Sequence, residues 1–248
     1  MPKLKEKDLT KHDSHTAAEC EKTPFFKNPH FYCLAAITLL FFVCAVCDLL
    51  VGISVRQRII VTLILLAALY AVGITSGCDE GRMRKIYLAM TVCYAYFVIS
   101  STLFDSSLGR GDLGSIAEVV QRREHYNRWF VNLTPFYTVK TLYIDALKEG
   151  YVTLGYVIFN ALGNLLLLAP LSVLIPASSK KLGAPYAVLP ILLGSTLAIE
   201  GLQYLLMRGS CDVDDVIFNF LGALVTFGLF SIPCVSRLAK KIMFNNQN

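Results

Sequence analysis

Six stretches of about 20 mostly apolar residues alternate with polar segments along the chain. A helix of that length crosses roughly 30 Å of hydrocarbon, so each stretch predicts a membrane span. The predicted spans are Phe31–Gly52, Ile59–Gly77, Ile86–Phe104, Leu154–Ile175, Pro185–Leu206 and Val213–Ile232. The pattern predicts an all-α fold, a polytopic transmembrane helical bundle of six spans.

Lysine and arginine residues between the spans predict the orientation of the bundle, because short cytoplasmic segments carry more of them than external ones. With the N-terminus inside, the inner segments hold Arg82, Arg84, Lys85, Lys180, Lys181, Arg237, Lys240 and Lys241, and the short outer loops hold Arg56, Arg58 and Arg208. Six lysines in the first thirty residues add to this bias. We therefore expect both termini to be inside.

The composition supports a membrane protein. Hydrophobic residues make up 55% of the 248 residues and charged residues only 17%, against about 25% charged in a typical soluble domain. The net charge of +5 comes with a basic segment just before the first apolar stretch, which is typical of a flank near an anionic leaflet and not of a nucleic-acid-binding surface. The eight cysteines predict no disulfide framework, since most lie in apolar runs where they pack as small hydrophobic residues.

The long segment 105–153 between the third and fourth spans is expected on the outer side. Its charged part, Ile116–Asn127, predicts a surface helix. The apolar, aromatic sequence from Trp129 to Tyr137 follows, and such a sequence is typical of an anchor at the membrane interface.

Several polar residues interrupt the last three spans, and ionisable groups there cost about 2.5–3.5 kcal/mol each on insertion scales. Glu200 and Gln203 share one helix face in the fifth span. Arg208 follows that span, Asn160 and Asn164 lie one turn apart in the fourth, and the sixth begins at Asp212, Asp214 and Asp215 with Asn219 one turn further on. In the predicted orientation all of them lie in the outer half of the membrane, which predicts a shared polar site.

Each element of this pattern also has a structural explanation. Asp212 and Asp215 can cap the sixth helix and favour its N-terminal dipole. Asn160 and Asn164 can be interhelical hydrogen bonds, worth about 1 kcal/mol or less. Glu200 together with Gln203 is harder to explain by packing alone.

The order and spacing of these residues resemble the VanZ-like family of small bacterial membrane proteins, named for a member associated with teicoplanin resistance. The similarity includes Asn164 and Pro170, then Glu200 and Gln203, then Arg208 and the acids up to Asn219, and upstream the Asn132-Leu133-x-Pro135-Phe136 element. Together with the predicted spans and the basic segments, it divides the chain into four parts: a basic cytoplasmic tail (1–30), two added helices (31–85), the VanZ-like domain (86–236, with its long extracytoplasmic loop 105–153) and a second cytoplasmic tail (237–248).

The resemblance implies a site and a location in the bacterial plasma membrane but no agreed activity. Its site residues are Asn132, Pro135, Asn164, Glu200, Gln203, Arg208, Asp212, Asp214, Asp215 and Asn219. Arg128 matches the family arginine, with Arg110 as a rival position.

We consider three functions for this site. In the first, the protein binds or acts on a cell-envelope or lipid-linked substrate, such as a cell-wall precursor, at the outer leaflet, and the resemblance links this function to glycopeptide (teicoplanin) resistance. Glu200, Asp214 and Asp215 are then the candidate catalytic residues, by general acid–base chemistry. The candidate substrate-binding residues are Arg128, Asn132, Asn160, Asn164, Gln203, Arg208 and Asn219, and Asp212, Asp214 and Asp215 could hold a divalent cation such as Mg²⁺.

In the second, the protein is a non-enzymatic membrane scaffold whose polar cluster locks helices together. A transporter is a weaker third possibility, since the two halves lack matching broken helices. The sequence excludes a zinc site on membrane helices, because none of its four histidines lies in a predicted span, and it contains no Gly-x-Ser-x-Gly or phosphate-loop motif. We expect membrane lipids as partners and no nucleic-acid partner.

Overall fold

The structure is a computed structural model that describes residues 33, 36–45, 54–75, 79–104 and 116–244. Its helices are α1 (Ala36–Ala45), α2 (Val55–Thr75), α3 (Glu80–Leu103), α4 (Ile116–Trp129), α5 (the π-helix Val139–Asp145 continued by Ala146–Lys148), α6 (Leu154–Leu167), α7 (Ala169–Ser178), α8 (Pro185–Leu206), α9 (Val213–Ser231) and α10 (Pro233–Phe244). A 3-10 turn (Lys180–Leu182) precedes α8, and two short strands, β1 (Val131–Asn132) and β2 (Cys211–Asp212), pair in parallel.

Five of the predicted spans form helices that are long and apolar enough to cross a membrane, with α6 and α7 counted as one span of 25 residues. The first predicted span and the basic tail 1–30 lie largely outside the described residues. The described part of that span, α1, is an apolar helix shorter than 18 residues. The protein is therefore an all-α, multi-pass membrane protein, while the sixth span and the orientation stay predictions.

The fourth predicted span is broken near its middle. The first part, α6, ends at Leu167, and α7 begins at Ala169 with Pro170 in its first turn. Proline has no N–H to donate, so it interrupts a helix but is tolerated at a helix start. The phenol of Tyr94 donates to the carbonyl of Leu167 over 3.1 Å, which satisfies one acceptor at the break. The break lets the two parts pack against different neighbours.

The centre of the bundle is formed by α3, α7, α8 and α9. Helix α3 packs on α2 and α7, and α9 packs on α6, α7 and α8. Leu168, Val188, Leu192 and Ala223 are fully buried between these helices. Gly222 lets α9 approach α6 closely, because a Cβ there would lie 1.6 Å from the carbonyl oxygen of Leu165. This contact fixes the two helices that carry the asparagine and aspartate residues of the candidate site.

Segment 116–153 returns to the ends of the bundle helices. The helix predicted at Ile116–Asn127 forms and extends to Trp129. After it, β1 pairs with β2 just before α9, with Val131 opposite Cys211 and Asn132 opposite Asp212. This pairing, although it has only two residues in each strand, places the segment directly against the acids that begin α9.

Large apolar side chains of this segment are exposed, with Trp129 at 69% and Leu133 at 73% exposure. Phe136 and Tyr137 are also exposed. Their exposure agrees with the predicted interfacial anchor. We call this end of the bundle, where α3 and α8 end and α9 begins, the polar end, and the end at Glu80, Ser178 and Pro233 the opposite end.

Candidate functional site

The acids that precede and begin α9 are held by two different parts of the molecule. Asp212 is the N-cap, and its carboxylate accepts from the backbone N–H of Asp214 over 2.9 Å. Such a cap satisfies one of the N–H groups that a helix start leaves without a partner. The capping role considered for Asp212 is thus observed, whereas Asp215 binds elsewhere.

Asp212 also joins segment 116–153 to α8. Its carboxylate accepts from Asn132 Nδ2 over 2.9 Å and from the hydroxyl of Thr138. Its own N–H donates to Glu200 Oε2 over 2.9 Å. Glu200 is only 6% exposed. Its buried carboxylate therefore accepts a hydrogen bond from the backbone of β2.

The carboxylate of Asp214 binds the beginning of α5. It accepts from the backbone N–H groups of Phe136, of Thr138 over 2.9 Å and of Val139 over 3.3 Å. These donors precede and begin a helix, where a negative charge is favoured. Phe136 has φ of +62°, which is uncommon for a residue with a side chain. Asp214 is 1% exposed, and with Asn132, Thr138 and Asp212 it forms what we call the loop anchor.

Asp215 lies on another face of α9 and accepts a hydrogen bond from Asn164 Nδ2 of α6. Asn164 and Asn160 line a cavity of about 1000 Å³ between α2, α3, α6 and α7. Many of its apolar lining side chains are exposed, among them Leu63, Phe159 and Leu166, so we call it the lateral cavity. Asn160, Asn164 and Asp215 form the cavity mouth.

Gln203 and Arg208 bind the end of α3. Gln203 Nε2 donates to the carbonyl of Thr102 over 3.1 Å, and Arg208 Nη1 donates to the carbonyl of Leu103 over 3.3 Å. The Arg208 guanidinium also lies 5.5 Å from the centre of the Phe104 ring. A cation at a helix C-terminus is favoured by the helix dipole. Both residues therefore hold helices together at the polar end.

The remaining predicted residues differ in burial, and some of them lie away from the cluster. Asn219 is buried, and its Oδ1 has no hydrogen-bond partner among the described residues. Pro135 is exposed in the turn before Phe136. Arg128 is exposed at the end of α4 and is not brought into the cluster, while Arg110 lies outside the described residues.

Arg123 of α4 contacts the bundle. It donates to the carbonyls of Tyr204 over 2.8 Å and Leu205 over 3.2 Å, and its guanidinium lies 5.0 Å from the centre of the Tyr204 ring. Tyr126 donates to the carbonyl of Gln203 over 3.1 Å. These residues were missed by the sequence reasoning. The sequence signal for Arg123 is a basic residue in a predicted surface helix on the same side of the membrane as the end of the fifth span, because the last carbonyls of a helix attract cations.

The cation bound by Asp212, Asp214 and Asp215 stays a prediction, and the structure directs the three carboxylates to different partners. In the described part of the chain, no group of three or more His, Cys, Asp and Glu residues is arranged to hold a metal ion. The physical reason is that successive positions at the start of a helix point in different directions. Asp212 and Asp214 bind the loop segment, and Asp215 binds α6.

Three groups outside the spans are affected by the concentration of acids. Burial, together with Glu200, Asp212 and Asp215, raises the pKa of the Cys211 thiol. Burial raises the pKa of Tyr143 in α5 to about 12, with a further contribution from Asp215 and the other two acids. Burial, with smaller contributions from Cys211 and Glu200, likewise raises the pKa of Tyr126 to about 12. Tyr143, which the sequence reasoning did not select, is thus a neutral phenol beside the carboxylates.

A family model now accounts for the order of these residues: VanZ/LLP1 matches residues 91–234. The chain belongs to the VanZ/LLP1 family. The matched region covers α3 from Thr91 to α10 and contains every residue of the loop anchor and the cavity mouth. It leaves α1 and α2 outside. No curated protein and no solved structure matches the chain.

Within the family region, the structure separates the predicted residues by what they bind. The loop anchor uses its side chains on backbone N–H groups and on one another. The cavity mouth offers amide and carboxylate groups at the edge of an apolar cavity. Gln203 and Arg208 donate hydrogen bonds to carbonyl groups at the end of α3.

Proposed function

We propose that this VanZ/LLP1 protein binds a lipid-linked cell-envelope substrate, with its hydrocarbon chain in the lateral cavity and its polar head at the cavity mouth. The observation that carries the proposal is that Asn160 and Asn164 line an apolar cavity of about 1000 Å³ while Asn164 also binds Asp215. Ligand pockets combine apolar walls with a few convergent polar groups and span about 300–1,000 Å³. An amphiphile matches such a pocket.

The walls of the cavity support a lipid rather than a water-soluble ligand. They belong to helices that are apolar enough to span a membrane, and several lining side chains are exposed on the outside of the described bundle. A hydrocarbon chain can therefore enter sideways from the bilayer without crossing water. The amide groups of Asn160 and Asn164 then act as donors and acceptors for the head of the substrate.

Among the acids, Asp215 is the proposed group that meets the substrate, because Asn164 links it to the cavity. Glu200 and Asp214 face backbone N–H groups instead, so their proposed role is to position β2 and α5. Arg128 is exposed at the same end and is available to a phosphate at the membrane surface.

The proposal includes an outer-leaflet site in a bacterial plasma membrane and a link to teicoplanin susceptibility. Its support is the charge distribution, since Arg82, Arg84, Lys180 and Lys181 lie at the opposite end, where the inner side is expected. The polar end then faces outward, toward cell-wall precursors.

The experiment is photo-cross-linking of the purified full-length protein in nanodiscs to a polyprenyl phosphate with a photoactivatable group in its chain. We expect labelled peptides from α2 and α6. Gly163→Phe fills the lateral cavity, because Gly163 lines it and a Cβ there meets nothing within 4 Å. This variant should abolish the labelling, and Asp215→Asn should reduce it.

Gly194→Phe is the matched control, because Gly194 is an exposed glycine of α8 with equal space around it and lies outside the cavity. It should label like the wild type. Equal labelling of both phenylalanine variants contradicts the lipid-binding proposal. In cells, unchanged teicoplanin susceptibility of Glu200→Gln and Asp215→Asn at normal protein levels contradicts the link to resistance.

A scaffold is the second candidate, and the loop anchor favours it. Three backbone N–H groups occupy the Asp214 carboxylate, which is an arrangement that holds structure together. On this alternative, substitutions at the cavity mouth lower the amount or thermal stability of the folded protein. Loss of labelling at full stability counts against it.

A further inference from the structure

The last described helix, α10, is basic and amphipathic. Its sequence, PCVSRLAKKIMF, contains Arg237, Lys240 and Lys241 and no acid. Leu238 and Ile242 are 59% and 55% exposed. Helices with exposed apolar side chains and several lysines and arginines lie in the interface of anionic membranes. The composition of α10 thus agrees with a position at the membrane surface.

Helix α10 is held firmly against the opposite end of the bundle. Tyr87 donates to the carbonyl of Met243 over 2.7 Å, and Tyr70 donates to the carbonyl of Ile242 over 3.0 Å. The ring of Phe244 packs against Tyr87 with the ring centres 5.6 Å apart. The helix is therefore attached to α2 and α3 through these contacts.

Between α10 and helices α3, α7 and α9 lies a second cavity, of about 610 Å³, which we call the basic cavity. Its charged lining residues are Arg84, Lys180, Lys240 and Glu80. Glu80 Oε1 is shared by Arg84 Nη2 at 2.8 Å and Lys180 Nζ at 3.1 Å. One carboxylate thus faces three cations, which leaves an excess of two positive charges among the described residues that line the cavity.

The three cations differ in how they are held. Arg84 also donates to the carbonyl of Ala177 over 3.0 Å and lies 5.0 Å from the centre of the Phe244 ring, so it is fixed by the fold. Lys180 is 72% exposed, and Lys240 is exposed on α10. Lys240, and Lys180 by exchanging its ion pair with Glu80, can turn toward a ligand at the mouth of the cavity.

We propose that the basic cavity binds the phosphate headgroup of an anionic phospholipid, with Lys180 and Lys240 as its ligands and α10 lying in the same leaflet. The occupant is a lipid because the excess positive charge lies beside the exposed apolar face of α10, where acyl chains pack. The cavity is separate from the polar end, and this inference does not rest on the proposed substrate.

The test uses native mass spectrometry of the purified full-length protein with phosphatidylglycerol and phosphatidylcholine added in equal amounts. We expect preferential retention of phosphatidylglycerol. Each basic residue near an anionic surface contributes enough for about a fivefold change in binding. The Lys180→Gln/Lys240→Gln variant should therefore lose most of the preference.

The matched control is Lys140→Gln/Lys148→Gln, which removes the same charge from exposed positions of α5 at the polar end. It should keep the preference, and both variants should keep the wild-type melting temperature. Equal retention of the two lipids, or an equal loss in the control, overturns the proposal. The proposal is also overturned if inorganic phosphate alone displaces the bound lipid. It is overturned likewise if the protein is retained as a lipid-free dimer and not as a lipid complex.

Discussion

The loop anchor and the cavity mouth use adjacent aspartates of one helix for different purposes. Asp214 is 1% exposed and its carboxylate is occupied by backbone N–H groups that precede and begin α5. Asp215, one residue further on, is partly exposed and binds an asparagine that lines the lateral cavity. The difference teaches that an acid at the start of a membrane helix can hold a neighbouring segment, as Asp214 does, or lie beside a cavity, as Asp215 does, and that its neighbours decide which.

The largest effect is expected at the contact that holds both regions together. Gly222→Ala places a Cβ against the backbone of Leu165, which cannot turn away as a side chain can. We expect α6 and α9 to separate, with a loss of about 3 kcal/mol or more in the free energy of unfolding. The measurement is the melting temperature and the yield of monodisperse protein in detergent. Gly228→Ala is the control on the same helix, because a Cβ at Gly228 meets nothing within 4 Å.

The second prediction tests the difference between the two aspartates directly. Asp214→Asn removes the charge and one of the oxygens that accept from the backbone, leaving buried N–H groups without a good acceptor. We expect it to lower the free energy of unfolding by about 1–3 kcal/mol. Asp215→Asn should cost less than half of that, as measured by thermal unfolding of both variants. If the two variants unfold at the same temperature, the distinction between loop anchor and cavity mouth is lost.

The sequence predicted the helices better than it predicted their contacts. The fifth span was predicted with the bounds that α8 has, because Pro185 and the polar residues after Leu206 delimit it. The break at Leu168 was not predicted, although Pro170 was its signal. A proline in a membrane helix is compatible with either a kink or a break, so Pro170 alone does not decide between them.

The candidate site was predicted as a set of residues but not as an arrangement. Acids and amides at one predicted depth indicate a cluster, because buried polar groups need partners. Their partners were not predictable where they are backbone groups, as at Thr138 and Val139, since every residue type offers an N–H. The same reason explains why Asp214 was predicted as a metal ligand and is observed as an anchor.

The third prediction concerns the amide at the cavity mouth. Asn164→Ala removes one interhelical hydrogen bond, so we expect a loss of about 1 kcal/mol or less in the free energy of unfolding. Labelling by the photoactivatable polyprenyl phosphate should nevertheless fall several-fold, because Asp215 loses its link to the lateral cavity. A large drop in melting temperature with unchanged labelling of the folded protein assigns Asn164 to the scaffold instead.

The smallest effect, and the most local, is the titration of Cys211 in β2. Its pKa is raised by burial and by the charges of Glu200, Asp212 and Asp215, and Asp214 is not among those charges. In a variant with Cys211 as its only cysteine, alkylation should therefore begin at higher pH in the folded protein than in the same protein unfolded in detergent. Removing a negative charge favours the thiolate, so Asp215→Asn should shift the midpoint of the folded protein to lower pH. Asp214→Asn should leave that midpoint in place while the protein stays folded, and an equal shift in both variants shows that the two carboxylates share one electrostatic environment.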